Sequence, residues 1–540
     1  MKASRYRDWN SGIFAILLGL SSGRAGDVAF PADVALDNPV VFPAAGLFED
    51  LSLMEAILLG VANNLGAKVE KLQETIEDTR IMGRKAEFHP AFSISGLYES
   101  VEKPQNTQEF VATQSALNPR TSRIFEEENY RFKTAIKGKT PLGTEYEFAV
   151  ELNSLRNTLN IDRPPSLFYP EYESFAGLRL TQPLLRDFGP AVQYAGLRVA
   201  QVDRRLASLA WRLKVSQVVA SIARNYYDVA FSAGDTVIKR QNISRARQLE
   251  GINRKRMDKG VGSLIDVQQA TVAASVREEE LISSEYTQKE KANLLLRDLI
   301  SDLDVESIPK INVTHRFTAN VPPLSRTGLL RHAFANRVEY LQAKQQLEKH
   351  NIKIAFAKNQ LLPRVDLIGS FGANGLNGSR GSAFGDAFEA GNPAWSVGIA
   401  VTLPLGNHAA KAQFKEVATE KEQMLLSFKQ LEIDLALQVD TAVARIETSQ
   451  RRLGTTRNSI TASQATLDAE AKRLEQGVGV SFNILEAQRD VGGAESRELA
   501  AKADLNKALI DLWLATGTLL DHFGIVLEEE PASLMSPVSK

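Results

Sequence analysis

The chain contains no cysteine. That excludes a disulfide framework, thiolate metal sites, a cysteine nucleophile and an N-terminal lipid anchor on cysteine. It suits an oxidising compartment. An excess of one charge is also missing: the 540 residues carry a formal net charge of -1. Nothing in that balance points to nucleic acid or an acidic surface as partner. Beyond the first twenty residues no apolar run reaches about 18 residues, so no transmembrane helix is expected in the mature chain. Histidine is sparse, and His89, His315, His332, His350, His408 and His522 are scattered without a pair at metal-ligand spacing. Gly260-Val261-Gly262 lacks the third glycine of a dinucleotide loop, and the glycine-rich run from Gly369 to Gly385 lacks the Lys-Ser/Thr of a phosphate loop. No enzyme chemistry, cofactor or metal is expected. The remaining composition, 44% hydrophobic and 24% charged, is that of a chain that folds.

Lys2, Arg5 and Arg7 precede an apolar run from Gly12 to Leu20, followed by small residues with Gly23 and Ala25 at cleavage-compatible positions. This order is that of a secretory signal peptide, assigned to 1–25, with an extended segment over 26–50. An exported chain without a helical span is either soluble or enters a membrane as a β-barrel.

Three pairs of segments match between the halves of the chain, in the same order. His89 to Ile94 answers Leu362 to Leu367, Leu178 to Leu184 answers Ile399 to Leu405, and Arg256 to Ala270 answers Arg473 to Ala487. The chain is therefore one duplicated unit. The first copy covers 51–300: a helix, strands near 90–100 and 173–184, a long helix over 190–259 and a helix over 264–300. A linker follows over 301–324. The second copy covers 325–521: a helix over 325–360, strands over 363–373 and 394–405, a long helix over 409–476 and a helix over 481–521. The end, 522–540, reads as a disordered tail.

Trp395, Val397, Ile399, Val401 and Leu403 alternate with Ser396, Gly398, Ala400, Thr402 and Pro404. Such period-two alternation, apolar against small or polar, is what a lipid-facing strand requires. Between Ala409 and Gln476 there is no proline, and Val439, Ile446, Leu453, Ile460, Leu467 and Leu474 recur every seven residues. The first half repeats the register at Val215, Ile222, Val229, Ile243 and Met257, interrupted by Thr236 and Glu250. A sustained heptad means a supercoiled helical seam, and a helix of this length spans roughly 100 Å. Four strands cannot close, since small barrels need roughly eight and lipid forbids an open edge. Strands of this kind in a membrane would have to assemble with copies of the chain.

Leu51-Ser52-Leu53-Met54-Glu55-Ala56, Ala62-Asn63-Asn64, Thr181 to Gly189 and the two glycine-marked helix turns stand in a fixed order along the chain. On these residues the sequence resembles the outer membrane efflux protein family, the TolC-like channel-tunnels. The resemblance implies a mainly α chain with a membrane β-barrel: a homotrimer in outer-membrane lipid, four strands per chain making a 12-stranded barrel, continued by a coiled helical tunnel across the periplasm. It further implies a passive duct opened by a periplasmic adaptor and an inner-membrane pump of RND, ABC or MFS type. The other reading is a periplasmic coiled-coil protein that bridges envelope layers without a pore.

One departure is a further hairpin over 128–153, where Tyr130, Phe132, Thr134 and Ile136 alternate with basic residues and Tyr146, Phe148, Val150 and Leu152 with acidic ones. Whether it widens the barrel or stands outside the membrane is open from sequence, and the second is favoured. At the helix turns, Gly260, Val261, Gly262, Gly477, Val478 and Gly479 are expected as tips where adaptor helices dock. Glu486 and Asn483 share a helix face and match the family's constriction, with Asp266 as the repeat mate of Asn483. Some relatives lock the closed state with a basic residue two positions after the second-tip glycine; Gly479 stands there in this chain.

Overall fold

The structure is a computed structural model that describes residues 50–112, 124–158, 167–301, 309–314, 317, 321 and 323–527. The expected signal peptide, nearly all of 26–50, part of the 301–324 linker and residues 528–540 lie outside the described residues.

Each half opens with a pair of helices where a single one is expected. Helix α1 (Leu53–Asn63) is followed by α2 (Leu65–Ala86), and in the second half α7 (Arg326–Asn336) is followed by α8 (Val338–Gln360). The expected single opening helix of the first copy and the expected helix over 325–360 are therefore corrected: both break after eleven residues. The break residues are extended, Asn64 at ψ 114° and Arg337 at ψ 121°. Asn64 Oδ1 accepts from Ala67 N at 3.0 Å and restarts the helix as an N-cap. Arg337 is held outside helical geometry by donating to the Ala515 carbonyl at 3.1 Å and to Glu339.

A short α4 (Pro190–Gln193) leads into α5 (Ala195–Asp258), which pairs with α6 (Leu264–Leu299); α10 (His408–Glu475) pairs with α11 (Ser481–Thr516). The long members have 64 and 68 residues, or roughly 100 Å at 1.5 Å per residue. Val439, Ile446, Leu453 and Leu474 are buried, as are Val215, Ile222, Val229 and Ile243. The two interruptions of the first seam have partners on α6. Buried Thr236 Oγ1 donates to the Ser232 carbonyl and lies 2.9 Å from Ser284 Oγ, and Glu250 accepts from Thr271 Oγ1 at 3.0 Å. Polar residues in a seam are tolerated when they are satisfied across it.

The expected helix over 481–521 ends at Thr516, because Gly517 turns left-handed at φ 72°; a separate turn, α12 (Leu519–His522), follows. The expected disordered tail is also corrected at its start: Phe523, Ile525 and Leu527 pack against the main core. That core joins α1, α5, α6 and α11 with a parallel bridge, Leu51 to Val313, from the linker. The Tyr226 hydroxyl donates to the Thr314 carbonyl at 2.7 Å beside it. Burial pushes Tyr226 and Tyr227 up to about 12. A second core repeats the arrangement, with Ala333 of α7 against Val443, Ile446, Leu505 and Leu509.

The expectation of four strands per chain is overturned. Six strands form one antiparallel sheet in sequence order: β1 (Ala91–Pro104), β2 (Ile124–Lys139), β3 (Glu145–Asn157), β4 (Glu171–Pro183), β5 (Arg364–Asn377) and β6 (Pro393–Thr402). A short α3 (Thr107–Ala112) follows β1, and α9 (Arg380–Phe388) joins β5 to β6. The hairpin expected outside the membrane is β2–β3, longer than 128–153 and inserted between β1 and β4. Its register explains why. Gly96 pairs with Phe132, Phe132 with Leu152, and Ile136 with Phe148, which pairs with Leu178. Side chains on paired residues share a face. Phe92, Ile94, Tyr98, Tyr130, Phe132, Ile136, Phe148, Leu178, Leu367, Phe371, Trp395, Val397, Ile399 and Val401 therefore form one apolar surface, all of them exposed, Trp395 at 74%. From Tyr130 to Ile136 the apolar positions of β2 span roughly 20 Å, close to the apolar band of a membrane barrel.

Two outcomes follow. Spin labels at Phe132 and Phe148 in reconstituted protein are expected to be relaxed by lipid-soluble oxygen and spared by water-soluble nickel chelate; relaxation by the chelate contradicts a lipid-facing hairpin. The phenols of Tyr226 and Tyr227 keep their protons in the fold after the unfolded chain, near pH 10, has lost its own. Their contribution to stability is thus complete below about pH 10 and is lost as pH rises toward 12. Chemical denaturation across this window should show that decline, and Tyr227→Phe should flatten it.

Candidate functional site

The two helix tips have the same backbone. At the first, Gly260 has φ 72°, and Val261 N donates back to the Arg256 carbonyl at 3.0 Å. At the second, Gly477 has φ 80°, and Val478 N donates to the Arg473 carbonyl at 3.1 Å. Both are Schellman ends, in which a left-handed residue satisfies the last carbonyls of the helix. The second glycine of each tip has another reason. A Cβ on Gly262 would lie 2.9 Å from Met257 N, and one on Gly479 would lie 2.5 Å from Leu474 N. Val261 and Val478 are left exposed, together with Leu264, Ile265, Val480 and Phe482.

Asp266 is occupied as a cap: its carboxylate accepts from Ser263 N at 3.2 Å while Ser263 Oγ accepts from Ile265 N at 3.1 Å. Asn483 donates to Glu470 Oε2 at 3.3 Å. The mate of Glu470 in the first half is Asn253, which donates to the Asp266 backbone carbonyl at 3.0 Å. Acid and amide have exchanged places between the halves, and the contact between the two helices of each hairpin is kept. Glu486 is paired with Arg489, one turn on, at 2.5 Å, and both are exposed. The structure brings Asn483 and Glu486 to one end of α11 and sets Asp266 apart on α6.

Sequence reasoning missed what holds one hairpin to the other. Arg256 of α5 donates to the Leu474 carbonyl at 2.8 Å, and Ser481 Oγ donates to Asn253 at 2.8 Å. Farther from the tip, Arg277 of α6 donates to Gln488 Oε1 at 3.0 Å and to the Leu485 carbonyl at 3.1 Å; Arg245 forms a two-pronged pair with Glu495 at 3.2 and 3.3 Å. Only a small apolar patch, Leu249, Leu474, Ile484 and Leu485, lies among these links. Near the tips the join between hairpins thus combines these hydrogen bonds with that one small apolar cluster, while the heptad seam within each hairpin is itself crossed by polar links such as Thr236 to Ser284 and Asn483 to Glu470. Arg277 is buried and has no carboxylate within 4 Å among the described residues. Burial pushes its pKa down; Glu280 opposes that, and Arg245 and Arg489 add to it. Arg489 was legible from its i,i+3 spacing to Glu486. The cross-hairpin contacts had no local signal.

At the other end, the sheet face opposite the apolar one carries an ion-pair ladder. Glu99 meets Arg131 at 3.0 Å, Lys133 meets Glu147 at 2.6 Å and Glu151 at 3.1 Å, and Glu151 meets Arg179 at 3.1 Å. These charges cross four neighbouring strands, β1 to β4. An apolar outside and a charged inside are what a membrane barrel with an aqueous interior requires. Mid-way along the helices, a cavity of about 1320 Å³ between α5, α10 and α11 is lined by further ion pairs, including Arg224 and Arg445 on Asp511.

Comparison with known proteins agrees with this architecture. Residues 329–518 match the family described as outer membrane efflux protein. The chain is 25% identical over 362 residues to outer membrane protein OprJ of Pseudomonas aeruginosa, covering 64% of this chain and 72% of that protein. It is 23% identical over 306 residues to outer membrane efflux protein BepC of Brucella suis, covering 56% of this chain and 63% of that one. Among solved structures, the outer-membrane channel OprN superposes with a TM-score of 0.62 at 15% identity, over 86% of this chain and 90% of the other. The Campylobacter jejuni CmeC outer membrane channel gives 0.62 at 13% identity, over 86% of each.

Replacing the tip glycines should separate their two reasons. Gly260→Ala and Gly477→Ala are each expected to lower stability by about 1–2 kcal/mol, the cost of a left-handed L-residue. Gly479→Ala should cost more than Gly262→Ala, because its Cβ would press closer on backbone. Thermal melts of the four variants check both statements.

Proposed function

We propose that the chain, whose residues 329–518 match the outer membrane efflux protein family, is the passive outer-membrane exit duct of an efflux or type I secretion assembly, closed at its helical tips until a periplasmic adaptor and an inner-membrane pump engage. The chain resides in the bacterial outer membrane and extends into the periplasm. The observation that carries the proposal is the two-faced sheet whose outer strands, β1 and β6, have no strand partner on their far edges among the described residues, joined to helices of roughly 100 Å. Six strands are too few to close, since small barrels need roughly eight. With an even number of alternating strands, β6 of one copy can pair antiparallel with β1 of the next. Three copies would make an eighteen-stranded barrel. A coiled-coil rod without a pore would leave the apolar face in water, at a cost of roughly 1.5–3 kcal/mol for each large side chain.

In this reading Glu486 lines the constriction, with Arg489 offsetting its charge and Asn483 one turn before it. Hairpins of one copy part along the polar seam. Its hydrogen bonds can be exchanged for water at small net cost, about 1 kcal/mol each, and the apolar surface that parts with them near the tips is the small cluster of Leu249, Leu474, Ile484 and Leu485. Arg277 adds a bias: buried without a counter-ion when closed, it regains water when the hairpins separate. The exposed valines at the tips, Val261 and Val478, supply the apolar contact for adaptor helices.

Ion conductance in planar bilayers tests the duct; an assembled protein that is electrically silent, even with its tips loosened by Arg256→Ala and Asn253→Ala, contradicts it. Arg277→Met should lower the open probability and Arg256→Ala should raise it. Glu486→Gln should weaken cation preference; an unchanged preference removes Glu486 from the constriction. Val261→Asp with Val478→Asp should abolish adaptor co-purification and leave conductance intact.

A further inference from the structure

We infer that helix α9 is an interfacial anchor, holding Phe384 and Phe388 among the acyl chains of the outer leaflet at the distal rim of the barrel. The inference rests on the reading that the apolar face of the sheet meets lipid. Along that face β5 carries large residues first, Leu367 and Phe371, and then changes to Ala373 and Gly375. The small residues make room for α9. Ala373 is buried beneath it, and Ala383 and Ala387 of the helix are buried against the sheet. A Cβ on Gly375 would strike the Ala383 carbonyl oxygen. Buried Ser174 of β4, the strand partner of Gly375, donates its hydroxyl to that same carbonyl. Arg380 lies over the ring of buried Tyr172, 5.7 Å from its centroid. The helix starts at its own cap, Ser379 Oγ accepting from Ser382 N at 3.3 Å. It is therefore fixed to the outer wall on a fitted bed.

On the side left open, Phe384 and Phe388 are 46% and 54% exposed, with ring centroids 4.9 Å apart. One turn apart, they point the same way from the helix. A second copy is not placed to cover them. The unpaired edges belong to β1 and β6, whereas α9 packs chiefly on β4 and β5 inside the sheet. Lipid is continuous with the apolar belt below. Carboxylates Glu171 and Glu173 of β4 and Glu389 after the helix stand at the same end of the sheet, which is the level of the headgroups. A short amphipathic helix with aromatic side chains at that level lies in the interface plane.

The absence of cysteine allows unique labelling. The environment-sensitive fluorophore NBD is placed at Phe384→Cys, Phe388→Cys, Ser382→Cys and Ile399→Cys in the full-length assembled protein, in vesicles with or without dibrominated acyl chains. Labels at 384 and 388 are expected to emit blue-shifted light, to lose at least half their intensity in brominated lipid and to resist iodide. The label at 382, exposed and turned away from both rings around the helix, should be quenched by iodide. Quenching of 384 and 388 by iodide, as at 382, overturns the inference. So does protection from both quenchers, which would mean a protein cover. Ile399 separates the two failures: lipid quenching there with none at α9 sinks the anchor alone, whereas iodide quenching at 399 sinks the barrel reading as well. Should Phe384→Cys fail to assemble, Phe388→Cys decides.

Discussion

A sheet edge in lipid has no water to satisfy its N–H and C=O groups, and the organisation of this chain depends on that constraint. The six strands present one face of aromatic and branched residues and one of paired charges, and among the described residues no further strand pairs with the outer edges of β1 and β6. Each edge is tolerable only against another strand. Up-and-down order makes the outer strands antiparallel, so edge pairing between copies continues the same ladder. The ion pairs from Glu99 through Arg131, Lys133, Glu147 and Glu151 to Arg179 show the complementary half of the argument: a charged face needs water, and a closed barrel supplies it inside.

The helical part solves a different problem. In the proposed duct it is rigid over roughly 100 Å and parts at one end. Rigidity comes from the heptad seams within each hairpin, whose polar positions are bonded across the seam, and from two cores where α1 and α7 brace the long helices. Separability comes from the join between hairpins, where Asn253, Arg256, Arg277 and Arg245 reach across to backbone carbonyls and polar side chains. Hydrophobic burial scales with area and is lost when surfaces part, whereas hydrogen bonds can be traded for bonds to water. The distribution of these two kinds of contact sets where the molecule is firm and where it yields.

The duplication carries this division into both halves. Both tips end in the same left-handed glycine and close-packed second glycine, yet the acid and the amide beside them are exchanged, Asn253 and Asp266 against Glu470 and Asn483. Backbone geometry is retained where sterics demand glycine, and side chains have diverged where either partner can supply the hydrogen bond. The second half carries the amphipathic rim helix α9, set on small residues of β5.

The sequence by itself determined the periodicities: the alternation from Trp395 to Leu403, the heptads ending at Leu474, the repeated tip motifs and the helix face shared by Asn483 and Glu486. These are properties of a few turns or one strand, and chemistry a short distance along the chain is enough to read them. Only tertiary structure decided the place of the β2–β3 hairpin, because an alternating hairpin reads alike inside a sheet and beyond it until the register sets Phe132 and Phe148 beside their neighbours. It also decided the breaks at Asn64 and Arg337, the packing of Phe523 and Ile525, and the contacts of Arg256 and Arg277. Each depends on a partner up to hundreds of residues away or on a cap chosen in competition with it, and no local pattern encodes that distance.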